Sequence, residues 1–181
     1  MGLIRHPSLQ PLSRQHRDWL VQAHELRDAT RSAEATAAEV VRRFLAFWER
    51  CGEAHLRYEE NQLVACYAKF CDVQRDEAIG TMLRQHTQIR RLIEQLTEHV
   101  ANQRDPTALI PPPACQPKAG QNPEERFAKW SAGGRPRQVV GIMVELGTLL
   151  EAHIRHEERV VFAQIQDRVP ESELLALPTL S

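Results

Sequence analysis

From Ser13 to about Asp28, the apolar residues Trp19, Leu20, Ala23 and Leu26 recur with polar residues between them. That is the spacing of one helix face. Thr30 to Ser32 breaks the pattern, and Ser32 before Ala33, Glu34 and Ala35 reads as an N-cap. The chain then runs to Phe70 with no Pro and a single Gly, Gly52. Val40, Val41, Phe44, Leu45, Phe47 and Trp48 make a thick apolar face on this tract. Unbroken, it would be a helix about 60 Å long, with Gly52 a place for a bend. Asp72 to Arg75 reads as a short turn. Arg75 to about Gln103 shows Ile79, Met82, Leu83, Ile89, Leu92, Ile93 and Leu96 at helical period, and Asp105-Pro106 ends it. Arg137 to Val169 resumes the period with Val139, Val140, Ile142, Met143, Leu146, Leu149 and Leu150. Pro170 to Leu177 offers a last short helix, with Glu171 and Glu173 suited to its N-terminus.

No stretch alternates in the manner of a strand. The expectation is an all-α protein: an up-down-up-down four-helix bundle with a short C-terminal helix. Residues 105–136 interrupt it. They hold Pro106, Pro111, Pro112, Pro113, Pro117, Pro123 and Pro136 with Gly120, Gly133 and Gly134, so they read as a long irregular connection between helices three and four. A short helical turn around Glu124 to Trp130 is expected within it. The domain plan is an extension over 1–12, the bundle over 13–168 and a tail over 169–181.

Composition narrows the class. At 181 residues, with 42% hydrophobic and 26% charged, the chain has the make-up of one ordinary soluble domain. A net charge of -1 excludes a nucleic-acid protein held by a strong basic field. No apolar run is long enough to span a bilayer. Met1 to Gln10 has no apolar core of a signal peptide. Cys51, Cys66, Cys71 and Cys115 include no Cys-x-x-Cys pair, and free thiols in a reducing cytosol are the simplest reading. Cys51 and Cys66 are expected as small buried apolar residues. A cytoplasmic location with no membrane or nucleic-acid partner follows as the expectation.

The histidines carry the chemistry. EAHLRYEENQLVACY, residues 53–67, and EAHIRHEERVVFAQI, residues 151–165, share Glu, Ala, His, Arg, Glu, Glu and Ala in register. Arg14-Gln15-His16 matches Arg84-Gln85-His86 one helix earlier in each half. The chain is therefore a weak internal repeat, and the second half holds the Pro-rich insertion. Each half supplies one His on its first helix and a His-x-x-x-Glu on its second. The groups are His16 with His55 and Glu59, and His86 with His153 and Glu157. Residues i and i+4 project from one face. Imidazoles suit iron, zinc or copper, and a carboxylate can bridge two ions. Glu and His on facing helices build di-iron sites in bundles, although the common Glu-x-x-His order is not the one here.

With these residues in place, and with the MLRQHTQIRRLIE segment from Met82 to Glu94, the sequence resembles the hemerythrin-like HHE cation-binding domains over about residues 13–168. The resemblance implies two irons in the bundle with a bridging oxo or hydroxo group; zinc or manganese are possible substitutes. It implies terminal ligands at His16, His55, His86 and His153, and bridging carboxylates at Glu59 and Glu157. One departure matters. The oxygen carriers have a His four residues after the third-helix His, and here that residue is Arg90. If both irons are six-coordinate, roughly two coordination positions stay open, against one with a fifth His. That favours an exchangeable small ligand.

Three functions compete. The first is a binding or sensing protein for O2, NO, peroxide or iron. The second is a peroxide-consuming or iron-oxidising enzyme, for which no dedicated acid or base stands out. The third is a metal-independent interaction module. Tyr58, Tyr67 and Cys51 lie near enough in sequence to line the site, with packing the simpler role. His156 reads as outside the ligand set, His24 as a surface residue, and His99 and His6 carry no assigned role. Arg57 and Arg155 are expected to pair with carboxylates.

Overall fold

The computed structural model describes residues 4–29, 34–101 and 135–179. Among these residues every regular element is a helix and there is no strand. Four long helices dominate. α1 spans Gln10–Ala29. α2 covers 34–67, with α-helical parts Glu34–Phe47, Glu53–Tyr58 and Ala65–Tyr67. Two wider π-helical turns, Trp48–Gly52 and Glu59–Val64, lie between those parts. α3 is Glu77–Ala101. α4 covers 135–168 as Arg135–His156, a π-helical turn Glu157–Val161, and Phe162–Arg168. The short α5 is Glu171–Leu175, with Pro170 at its N-cap. The expected connection over 105–136 and the cap at Ser32 lie outside the described residues, except that 135–136 already belong to α4.

The boundaries follow local chemistry. α1 starts three residues before Ser13, because a 3-10 turn at Pro7–Leu9 feeds straight into it. Leu9 and Leu12 are wholly buried, so this stretch packs with the bundle. α3 starts at Glu77 and not Arg75, since the Asp76 carboxylate accepts the amides of Ala78 (3.0 Å) and Ile79 (3.2 Å) as an N-cap. α4 stops where Val169 turns extended, φ -94° and ψ 128°, ahead of Pro170. At Gly52 the helix does not break. Its dihedrals stay helical, and it lies inside a widened turn where the Trp48 ring occupies the space a Cβ would need.

The core is divided in two. Trp19, Ala23, Leu26, Val41, Phe44, Leu56, Ile89, Leu96, Met143, Leu146 and Leu150 form one cluster. Leu9, Leu12, Leu63, Tyr67, Ile79, Met82, Val161, Phe162 and Ile165 form the other. On each long helix the buried polar residues stand between the two: His16 in α1, His55 and Glu59 in α2, His86 in α3, and His153 and Glu157 in α4. A polar belt thus crosses the bundle, closed by apolar packing on both sides. No helix among the described residues is long and apolar enough to cross a membrane.

α1 and α4 make an extensive helix contact. Gly147 permits it, because a Cβ there would stand 2.6 Å from the Ala23 carbonyl oxygen and 2.8 Å from Arg27 Cγ. The backbone oxygen cannot yield as a side chain would. Gly147→Ala gains about 1 kcal/mol of helix propensity, yet overpacking of this kind costs about 1–3 kcal/mol. The expected outcome is a lower melting temperature, by a few degrees in a thermal melt. A variant as stable as the wild type would show that the two helices can part without loss.

Candidate metal centre

All six residues singled out by the repeat come together. His16, His55, Glu59 and Glu157 form one group, and Glu59, His86, His153 and Glu157 form a second. In each group the ligand atoms lie within 4.8 Å of one another, and both glutamates belong to both. All six are buried, the two glutamates and His86 completely. Glu59 Oε1 is 3.2 Å from His55 Nε2, and Glu59 Oε2 is 3.4 Å from His86 Nε2. Glu157 Oε2 is 3.1 Å from His16 Nε2, and Glu157 Oε1 is 3.4 Å from His153 Nε2. Each carboxylate therefore reaches toward both pairs of imidazoles.

The outer ring nitrogens explain the inward aim. His16 Nδ1 donates to Glu158 (2.7 Å) and His86 Nδ1 donates to Glu60 (2.8 Å). His55 Nδ1 donates to Gln15 Oε1 (2.7 Å) and His153 Nδ1 donates to Gln85 Oε1 (3.3 Å). An Nδ1–H held this way leaves Nε2 as the coordinating atom and sets the ring's orientation. The arrangement has the symmetry of the repeat. Within each half, the Gln before the first-helix His holds the second-helix His. Across the halves, the Glu after each shared glutamate holds the other half's first-helix His. Gln15, Gln85, Glu60 and Glu158 were not assigned roles from sequence, although all four are identical positions of the repeat and that identity was the available signal.

The donor set fits cations. Both oxygens of Glu59, both of Glu157, and Nε2 of His86 and His153 are buried with no hydrogen-bond partner. Leaving a carboxylate so exposed to a low-dielectric interior is costly unless positive charge meets it. His16 Nε2 and His55 Nε2 face each other at 3.2 Å, a contact that needs a proton or another cation between the two nitrogens. A cation among these atoms relieves both problems. Cys and Met take no part, so hard and borderline ions are favoured over soft ones.

The titration behaviour agrees. Burial works against ionising Glu59, but the surrounding imidazoles hold it well below the usual carboxylate range. Burial and the charge of Glu59 oppose ionising Glu157, and its imidazole neighbours still bring it down. Burial likewise disfavours a charged His86, but Glu157, Glu59 and Glu60 outweigh it and push the ring up to about 11. Burial dominates at His153 and pulls it down to about 4. The raised imidazole is a measure of the carboxylate field, since a proton is the cation at hand.

Other candidates fall elsewhere. Tyr58 OH donates to the Pro178 carbonyl (2.6 Å), and its repeat counterpart His156 meets the Ala78 carbonyl through Nε2 (2.9 Å). Tyr67 OH is committed to Asp76 (2.7 Å), which Gln164 also donates to. Cys51 is half-buried and gives its thiol to the Phe47 carbonyl (3.3 Å). Cys66 is buried as expected, and Cys51, Cys66 and Cys71 are free thiols. His24 is exposed and pairs with Asp28 (3.0 Å). Arg57 pairs with Glu53 (2.8 Å), and Arg155 with Glu151. Arg90, in the place of a fifth His, turns outward to Glu53 and Glu60.

A helical protein with a buried cluster of four imidazoles and two shared carboxylates has the architecture and donors of a bundle that could hold cations. The comparison with protein families makes this specific: the model of the hemerythrin HHE cation-binding domain matches residues 9–165. The chain belongs to that family. No curated protein and no solved structure gives a significant match.

Proposed function

We propose that the protein is a di-iron protein that binds or senses a small exchangeable ligand: O2, NO, peroxide or iron itself. His16, His55, His86 and His153 would be terminal ligands, and Glu59 and Glu157 would bridge. The carrying observation is the pair of fully buried glutamates whose four oxygens face nothing but imidazoles, turned inward by their Nδ1 bonds. Zinc or manganese fit the same donors, and iron is preferred here for its redox and small-ligand chemistry. The up-down-up-down order is part of this reading, supported by the short link between α2 and α3 and by the repeat of ligands along the chain. A metal-independent module would have no use for two buried carboxylates that face only imidazoles.

The absence of a fifth imidazole is what favours an open ligand position. Arg90 stands there and is held by two carboxylates, with Nε 3.0 Å from Glu53 and NH1 2.7 Å from Glu60. The test is metal content and visible spectra of protein expressed with iron, before and after peroxide or NO. About two irons per chain with bands that change on ligand addition is expected, as a shared-carboxylate pair of sites requires. Iron bound without any spectral response would leave a storage or structural role and overturn the sensing reading. Less than one ion per chain would overturn the metal reading.

Ligation also has a proton cost. With His86 near 11, the metal-free ring keeps both protons at neutral pH and must release one to bind a cation. His16 is likewise held well above its ordinary value by Glu157, Glu158 and Glu59 against burial. Metal uptake at pH 7 is therefore expected to release about one to two protons per chain. The same competition makes binding weaken as pH falls. Calorimetric titration in buffers of different ionisation enthalpy counts these protons, and a count of zero would mean the rings are already neutral.

A further inference from the structure

We infer that each half of the metal cluster is set by its own arginine, and that the one serving the first half comes from the segment ahead of the bundle. This rests on the metal-binding reading above. Glu60 and Glu158 fix His86 and His16, and each is in turn fixed from outside. Arg90 grips Glu60 with NH1 at 2.7 Å and NH2 at 3.1 Å. The repeat offset that maps His86 onto His16 maps Arg90 onto Leu20, so the first half has no arginine at that place. Arg5 takes over the task. Its NH2 lies 2.6 Å from Glu158 Oε2 and 2.6 Å from the Glu158 carbonyl.

Arg5 makes a second connection. Its guanidinium lies over the Phe162 ring at 4.9 Å, and that ring stacks on His16 at 5.4 Å with planes 12° apart. One side chain thus backs both the acceptor of His16 and the face of its imidazole. The arm carrying it is pinned to α4 as well. Arg5 NH1 donates to Gln166 (3.1 Å), and Gln166 Nε2 donates to the Ile4 carbonyl (3.1 Å). Arg5 is 17% exposed on its side chain, against 28% for Arg90, so both work in partly desolvated surroundings where a guanidinium–carboxylate pair is strong. Arg90 holds both oxygens of Glu60 with its fork, and Arg5 holds one carboxylate oxygen and the backbone carbonyl of Glu158, so each carboxylate is oriented and in turn orients its ring.

Arg5 and Arg90 are positioning residues, and the two should act on different half-sites. The experiment loads the protein with ferrous iron under anaerobic conditions and follows release to a ferrous chelator. His55→Ala and His153→Ala identify which release phase belongs to which half. Arg5→Met keeps the stem over Phe162 and removes the donors. It is expected to speed release from the His16–His55 half roughly tenfold, the low end for outer partners of metal ligands, and to leave the other half unchanged. Arg90→Met should do the reverse, and Arg5→Lys should restore part of the loss. Equal acceleration of both phases, or none, overturns the proposal. In metal-free protein, nitrogen-resolved NMR of the rings gives a second readout: Arg5→Met should shift the Nδ1–H signal of His16 and not that of His86. If the wild type takes up no iron, the metal reading fails, and this NMR comparison still decides the roles of the arginines.

Discussion

Metal-free protein is expected to melt about 8–16 °C below the metal-loaded form. The size follows from linkage. A ligand that binds only the folded chain, at free concentrations about 1,000 times its Kd, stabilises by about 4 kcal/mol. In a domain of this length each kcal/mol moves the melting temperature by about 2–4 °C. The structural reason is the polar belt. Six buried polar side chains divide the apolar core into two clusters. Without cations, only protons on the imidazoles can offset the oxygens of Glu59 and Glu157. With cations, the belt ties α1, α2, α3 and α4 to one point. Differential scanning calorimetry of apo and reconstituted protein checks this. Equal melting temperatures would mean that protonated imidazoles satisfy the belt as well as metal does.

The second large effect is an asymmetry among the ligands. Glu59 and Glu157 each belong to both candidate groups, whereas every His belongs to one. Glu59→Ala or Glu157→Ala is therefore expected to lower metal content from about two ions per chain to well under one, because both sites lose an anionic donor together. His55→Ala and His153→Ala should each retain about one ion, held by the group that keeps its full donor set. Elemental analysis of the purified variants, with circular dichroism to confirm folding, separates the cases. If a glutamate variant kept one ion and a His variant lost both, the carboxylates would not be shared bridges.

Much of this was legible in the residue pattern. Val40 to Trp48, Ile79 to Leu96 and Val139 to Leu150 lie on buried helix faces because a 3.6-residue period leaves few other ways to hide them. The six candidate ligands were legible for a different reason. His-x-x-x-Glu occurs twice in matched frames, and a repeat brings equivalent positions to equivalent places. What the residue pattern does not carry is local or reciprocal. The start of α3 at Glu77 depends on which acidic residue turns its carboxylate to the amides, and that is Asp76 and not a residue before it. The π-helical turns at Glu59–Val64 and Glu157–Val161 leave no mark in composition. The residues at and beside their ends keep helical dihedrals, and the hydrogen-bond partner is what changes.

The arginines show the boundary most clearly. Arg90 was visible as a missing imidazole, but its clasp on Glu60 was not. Arg5 lay in a stretch read as an extension, yet it reaches a residue 153 positions away. By itself the sequence determined the helical class, the apolar faces, the family and the identity of the clustered His and Glu. Those depend on periods and repeats, which are properties of neighbouring positions. The tertiary structure alone decided which nitrogen of each His faces the cluster, which side chains hold the outer nitrogens, and which arginine meets Glu60 and which meets Glu158. Those depend on contacts between helices far apart in the chain, where packing and charge select one partner from many that the sequence allows.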